Sequence, residues 1–506
     1  MFSNVLSGAL VGIDACTVNV EVVTSRGVPQ ILIVGLPDAS INESRERVRA
    51  SIKAAGYEVP LSKIVVNMAP ADLRKEGSHF DLAIAIGILT SSGQCNPVKD
   101  FWLIGELSLN GMLKPCSGIL PIVTAAKESG INNIIVPKEN SKEGALVEGI
   151  NVYSAGSLKE AVDILNGEKA SREKFLTPVQ AFTSENSLEF RGQDLKYVKG
   201  QYQAKRALEI AAAGGHNLLF VGEPGGGKSM LAQCLPSILP PLTKKTALEV
   251  TKIYSVAGLL KGTSKSVVKD RPFRAPHHSI SGAGLIGGGS SPRPGEVSLA
   301  HHGVLFLDEL AEFDKRTLDN LRQPIEGGEV VISRARLSVK YPARFLLIGA
   351  CNPYTGIKQA GSRQKLILSE PLWDRFGLIV WVPPLKPDEL LDFKPEEQES
   401  SEETRRRVVK AWERQRDRYE KLDNVFDNSS MTPEEIKKHC IFTDEASKLL
   451  RDATVSMSLT GRTYDHVLRT SRTIADLAGT EHIEEEHIAE AVQYRVSQES
   501  IVGMAV

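Results

Sequence analysis

The chain has 506 residues, 42% hydrophobic and 24% charged, with a formal net charge of −1. That length accommodates three domains of about 150 residues each, and the composition supports ordinary globular cores. The near-neutral balance excludes a globally basic nucleic-acid binder, so any such contact must come from local patches. Every long apolar run is broken by charged or polar residues, so no membrane span is expected. The start, Met1-Phe2-Ser3-Asn4, lacks a basic region and a long apolar stretch, so no signal peptide is expected. The six cysteines are scattered without a Cys-x-x-Cys pair, which fits reduced thiols in the cytoplasm.

Residues 1–168 alternate short strands with helical stretches. Val18–Val23, Ile31–Val34 and Lys63–Asn67 read as strands, and Glu43–Ala55 has helical spacing. Phe80–Leu89 reads as an apolar helix with small residues suited to close packing. Several segments here resemble a known family. They are Gly12-Ile13-Asp14, Val34-Gly35-Leu36-Pro37, Asn67-Met68-Ala69-Pro70-Ala71-Asp72-Leu73-Arg74-Lys75, Phe80-Asp81-Leu82-Ala83-Ile84-Ala85 and Gly105-Glu106-Leu107. They resemble the Lon-protease-like domain of the YifB/ComM family, a branch of the magnesium-chelatase-like AAA+ proteins. The resemblance implies a ribosomal-S5-domain-2-like fold. Lon-type hydrolysis needs a serine activated by a lysine. An ungapped comparison puts His79 at the serine position and Leu120 at the lysine position, so the dyad is missing. A shifted pair, Ser78 with Lys114, would demand a displacement that activation geometry tolerates poorly.

Residues 169–192 carry charges, a proline and several Ser/Thr without periodicity, and read as an exposed linker. Residues 193–390 form the expected P-loop α/β core. Ala204–Ala213 reads as a helix, then Leu218–Val221 as a buried strand. The strand runs into Gly222, Glu223, Pro224, Gly225, Gly226, Gly227, Lys228 and Ser229, a full Walker A pattern opening a helix. Glycines let backbone N–H groups close around phosphates, Lys228 suits the β/γ-phosphates of ATP, and Ser229 suits Mg2+. In related proteins the turn before this helix borders the adenine. Gln201 fits that place and fits an exposed turn equally.

Gly303–Leu307 followed by Asp308 and Glu309 puts two carboxylates at the C-terminal end of a buried strand. Asp308 suits Mg2+, directly through Ser229 or through water, and Glu309 suits polarising the attacking water. The separation of 80 positions from Lys228 to Asp308 leaves room for an insertion. Arg271–His278, Gly287-Gly288-Gly289 and Pro292–Glu296 resemble the family's helix-2 insert, which the resemblance turns towards a ring pore. The histidine pairs 277/278 and 301/302 have no carboxylate or thiol at ligand spacing, so hydrogen bonding is the expected role.

Val330–Ile332 and Leu337–Lys340 read as strands around a basic tip, which the resemblance makes a pre-sensor-1 hairpin. Arg334, Arg336 and Lys340 fit sequence-independent contacts with DNA phosphates, and fit a solvated hairpin or subunit interface equally well. The strand ending Ile348-Gly349-Ala350-Cys351-Asn352 places Asn352 as sensor 1 by resemblance. The chain then departs from its relatives: Tyr354-Thr355-Gly356 stands where many carry a cysteine-rich segment, so no metal knuckle is expected. Leu372-Trp373-Asp374-Arg375-Phe376 matches the family's arginine-finger pattern, and Arg375 acting on a neighbour requires an oligomer, by resemblance a hexamer. Its other role would be a surface pair with Asp374.

Residues 391–506 read as an all-α lid like the family's C-terminal domain. A charged helix is expected from Arg405, and further helices over Glu445–Met457, Tyr464–Ala478 and Ile483–Tyr494. Arg462, just before the third, is placed as sensor 2, with Arg469 a poorer fit. The resemblance implies a ring-forming ATPase moving on DNA, a helicase for branch migration during recombination and DNA uptake. The alternative is a chelatase-type motor driving a protein or metal-insertion partner.

Overall fold

A computed structural model describes residues 1–167, 172–180, 193–262, 266–289, 292–334, 337–357, 363–365, 368–385, 393–422 and 425–495. The first strands are β1 (Phe2–Val11), β2 (Asp14–Ser25), β3 (Gln30–Val34) and β4 (Lys63–Ala69). With β5 (Phe101–Leu103), β6 (Asn133–Pro137) and β7 (Asn151–Ala155) they form a mixed seven-stranded sheet ordered β3-β4-β2-β1-β5-β6-β7. Alternation along β2 sends Val18, Val20 and Val22 into the core. Helix α1 (Ala39–Ala54) and helix α2 (Asp81–Ser91) accompany this sheet, and Leu82 to Leu89 of α2 is buried on all sides. Small residues permit that closeness: a Cβ at Gly87 would stand 2.6 Å from Val22 Cγ2. Helix α3 (Ile119–Glu128) packs with a separate cluster that includes Trp102, Ile134 and Val152.

The expected linker behaves differently where it is described. Over residues 172–180 the chain returns to the N-terminal sheet: Leu176 bridges to Tyr153, and Thr177 N donates to Val152 O at 2.8 Å. Backbone pairing at the β7 edge ties this stretch down, while its side chains stay largely exposed as the composition suggests. Residues 168–171 and 181–192 lie outside the described residues.

The second α/β unit begins with α6 (Tyr202–Gly214), following α4 (Ser141–Gly144) and α5 (Leu158–Asn166) of the first. Its sheet contains β8 (Leu218–Val221), β9 (Phe273–Arg274), β10 (Val304–Leu307), β13 (Leu346–Cys351) and β14 (Leu378–Trp381). All pairings are parallel, in the order β9-β10-β13-β8-β14. Such strands are buried on both faces, which explains their unbroken apolar runs. Helices α7 (Lys228–Ile238) and α8 (Lys244–Val256) follow β8. The antiparallel hairpin of β11 (Glu329–Arg334) and β12 (Leu337–Pro342) precedes β13 and is entered from the short helix α9 (Arg322–Gly327).

The C-terminal region is helical: α10 (Ser401–Tyr419), α11 (Pro433–His439), α12 (Asp444–Ser456), α13 (Gly461–Ala478) and α14 (Glu485–Gln493). Two starts differ from expectation. Helix α10 begins before Arg405 because Ser400 and Glu403 form a capping box. Helix α13 begins before Tyr464 because Thr460 caps it, accepting from Thr463 N, so Arg462 lies in its first turn. His216 Nε2, just before β8, lies 2.7 Å from Thr473 Oγ1 on α13, joining the helical region to the sheet. None of the helices among the described residues is long and apolar enough to cross a membrane.

Among the described residues, the N-terminal unit touches the second unit at the β1–β2 turn, at the start of α3, and where Glu148 pairs with Lys244 at the start of α8. Ile13, at the β1–β2 turn, packs on the cluster containing Val330, Val339 and Tyr341 of the hairpin. At the start of α3, Gly118 N donates to Ser255 O at 2.9 Å, and Ser255 Oγ donates to Glu143 at 2.5 Å. Glu143 also accepts from Leu120 N at 3.0 Å, and its burial raises its pKa.

Candidate nucleotide site

Three parallel strands deliver polar groups to one place, the C-terminal end of the sheet. The loop after β8 carries Lys228 and Ser229 into α7, Asp308 directly follows β10, and Asn352 directly follows β13. Ser229 Oγ donates to Asp308 Oδ2 at 2.6 Å. Lys228 Nζ donates to Asn352 Oδ1 at 3.1 Å and to the carbonyls of Gly222 and Glu223 at 2.7 and 2.8 Å. Burial lowers the Lys228 pKa from its ordinary value. Gly225 and Gly227 hold φ of +86° and +85°, with nothing within 4 Å of an added Cβ, so this part of the loop, which also holds Glu223, Pro224 and Gly226, has an open face.

One ammonium, one hydroxyl, one carboxylate and one amide around an open glycine loop at a helix N-terminus form a donor set that fits a nucleoside triphosphate with its divalent cation.

Glu309 lies beyond Asp308 in the left-handed region, at φ +50°, with its side chain 60% exposed. Its Oε2 is 3.3 Å from His278 Nδ1. Sequence reasoning missed this neighbour. Its only signal was position: β9 pairs with β10, so the segment after Arg274 must emerge beside the segment after Leu307.

Gln201 does not behave as an exposed turn residue. It is buried, and its amide donates to Gly226 O at 3.2 Å and Pro383 O at 2.7 Å, so it braces the glycine loop.

Arg375 and Arg462 lie at the other end of the sheet. The Arg375 carbonyl accepts from Asn217 Nδ2 at 3.1 Å, immediately before β8 starts. From Asn217 to Gly222 the extended chain covers about 16 Å, longer than an arginine side chain. Arg375 is only 11% exposed and pairs with Glu326 of α9, not with Asp374. Arg462 approaches Glu326 at 3.7 Å and Asp374 at 3.9 Å. Arg469 points elsewhere, half-buried near Asp465 and Asp427.

In the hairpin, Lys340 is exposed and paired with Glu329 at 2.9 Å. The Arg334 side chain and the whole of Arg336 lie outside the described residues.

The second histidine pair, 301/302, has a carboxylate beside it after all, brought from a distant helix. Glu249 of α8 lies 2.9 Å from His302 Nε2 and 3.6 Å from His301 Nε2. His301 Nδ1 accepts from Arg344 N at 3.0 Å, so the neutral ring carries its proton on Nε2 and cannot give that nitrogen to a metal. Hydrogen bonds from both histidines hold the Glu249 carboxyl well below its usual pKa range.

In the N-terminal unit, His79 is buried against Gly8 O at 2.9 Å, and Leu120 is buried in α3. Ser78 Oγ donates a hydrogen bond to the Glu106 carboxylate.

Family comparisons match all three regions. Residues 194–390 match the family described as magnesium chelatase, subunit ChlI. Residues 20–140 match subunit ChlI of Mg-chelatase, and residues 398–495 its C-terminal part. The competence protein ComM of Haemophilus influenzae is 42% identical over 97% of this chain and 97% of its own length. The YifB protein of Salmonella typhimurium is 40% identical over 98% of this chain and 97% of its own length. The chain belongs to the YifB/ComM family of magnesium-chelatase-like proteins. A magnesium-chelatase 38 kDa subunit of Cereibacter sphaeroides is 29% identical, over 37% of this chain and 57% of its own. The YifB/ComM relatives therefore share nearly the whole chain, and the chelatase subunit a part of it.

Proposed function

We propose that this YifB/ComM-family protein is a ring-forming, Mg2+-dependent AAA+ ATPase that couples hydrolysis to movement on DNA, in a ComM-like role of branch migration. The observation that supports it best is the separation of the site into two halves. Lys228, Ser229, Asp308 and Asn352 converge at one end of the sheet, while Arg375 and Arg462 stand at the other. Arginines there cannot serve their own phosphate loop, but suit the loop of an adjacent subunit, and repetition of that contact closes a ring, six-membered by family analogy.

In this assignment the glycine loop from Gly222 to Gly227 and Lys228 hold the ATP phosphates, while Ser229 and Asp308 hold Mg2+. The bound cation supplies positive charge to the phosphate oxygens. Glu309 polarises the attacking water, Asn352 orients it, and Arg375 with Arg462 offsets charge developing on the neighbour's terminal phosphate. Arg334, Arg336 and Lys340 on the hairpin contact DNA phosphates without reading bases. The N-terminal unit is an S5-domain-2-like domain without protease activity, since His79, bonded to Gly8 O, and Leu120 replace the dyad.

ATP turnover with and without single-stranded, duplex and four-way-junction DNA tests the assignment, with Glu309→Gln as the control. DNA stimulation that the control abolishes supports it, and a robust rate indifferent to every DNA refutes it. The matches to chelatase ChlI families support a second assignment, a motor acting on a protein or metal-insertion partner. It predicts stimulation by that partner and none by DNA.

A further inference from the structure

Glu326 sits where three parts of the molecule meet. It lies in the last turn of α9, and Gly327-Gly328 lead from it straight into β11 of the basic hairpin. Its carboxylate pairs with Arg375 and stands 3.7 Å from Arg462. Nothing in the Walker motifs or in the arginine-finger pattern assigns this residue a part.

The pairing has a chemical consequence. A guanidinium nitrogen committed to a carboxylate cannot give the same hydrogen to a phosphate. A carboxylate left between two arginines also repels any phosphate that approaches them. Arg375 is the more covered of the pair, so its route to a neighbour's nucleotide passes through exchange of Glu326 for phosphate. A carboxylate in the last turn of a helix is itself disfavoured by the local dipole, so the two arginines are what hold it there. Glu326 is separated from β11 by two glycines, and the far side of the hairpin is pinned where Ala343 N donates to Gly328 O at 2.8 Å. Displacement of the hairpin therefore reaches Glu326 through a short, bonded path.

We propose that Glu326 is a positioning residue that parks Arg375 and Arg462 within their own subunit until the hairpin is displaced, so that hairpin engagement releases both arginines to the neighbouring nucleotide. This rests on the ring-ATPase assignment above, in which those arginines act across an interface.

The test is the DNA-free ATPase of Glu326→Gln in the full-length protein. The substitution keeps shape and hydrogen bonding but removes the charge. The expected result is a DNA-free kcat raised about fivefold, the upper end for an ion pair whose carboxylate is exposed, with KM for ATP unchanged. Stimulation by a four-way-junction oligonucleotide falls by the same factor, because the released state is already populated. Glu326→Asp, which keeps the charge on a shorter arm, lies between. Adding Arg375→Ala to Glu326→Gln abolishes the gain. A DNA-free kcat equal to or below wild type overturns the proposal, as does a gain that survives loss of Arg375. Failure of the underlying assignment looks different: the wild-type ATPase is then robust and indifferent to every DNA, whatever Glu326→Gln does.

Discussion

The split site predicts complementation between two inactive subunits. Glu309→Gln leaves Arg375 intact but spoils its own pocket. Arg375→Ala leaves its own pocket intact but offers its neighbour no guanidinium. Loss of a finger arginine costs about 1,000-fold in kcat, or about 4 kcal/mol of transition-state stabilisation. Each variant alone is therefore expected near background. In an equal mixture assembled from separated subunits, a working interface needs an Arg375→Ala subunit presenting its pocket to the arginine of a Glu309→Gln subunit. Random mixing forms that arrangement at about one interface in four, so the rate recovers to about a quarter of wild type if interfaces act independently. The assay is steady-state phosphate release as the two variants are titrated against each other. The curve peaks near equal proportions, far above either parent. A mixture that merely averages its parents refutes the reasoning, because it would mean that Arg375 serves its own subunit despite about 16 Å of intervening strand.

Asp308→Asn removes a charge from the Ser229–Asp308 pair, and the Mg2+ concentration for half-maximal ATPase is expected to rise about 10–100-fold in a Mg2+ titration. Gln201→Ala releases the glycine loop from Pro383, so KM for ATP rises about tenfold while kcat holds, measured by steady-state kinetics. Acid is expected to loosen the fold before it reaches the carboxylates. Burial lowers His79 and His301 to about 4 from an ordinary 6.5. The unfolded chain then binds protons that the folded chain refuses, so this stability is complete above pH 6.5 and drains as pH falls towards 4. Each histidine costs about 2 kcal/mol between pH 7 and 5, and His79→Gln should flatten the dependence of Tm on pH over that window.

The elements most legible in sequence were those whose own pattern decides them. Leu218–Val221 and Val304–Leu307 are short apolar runs closed by special loops, and both are buried parallel strands. The apolar stretch of α2 is likewise a buried helix. Errors gathered where a side chain at one position sets the state of another. The Ser400–Glu403 capping box starts α10 ahead of Arg405, and Thr460 draws Arg462 into α13. Residues 172–180 have no helical or strand pattern, yet the free edge of β7 gives them backbone partners. No local window contains that edge.

The same division runs through the candidate site. Lys228, Ser229 and Asp308 could be proposed from spacing because their geometry follows from a strand, a loop and a helix adjacent in the chain. The partners of Gln201, His278, Glu249 and Glu326 could not, because each is met through sheet order or helix packing. Glu326 shows why the difference matters. In sequence it is one of several acids near a hairpin, with a bland surface role as its default. In the fold its carboxylate lies against two arginines that belong to separate sequence motifs, Arg375 and Arg462. Their proximity turns two independent motif assignments into one testable unit: if both act across an interface, they must be freed together. Changing the carboxylate between them should then alter their action as a pair, which neither arginine variant alone can reveal.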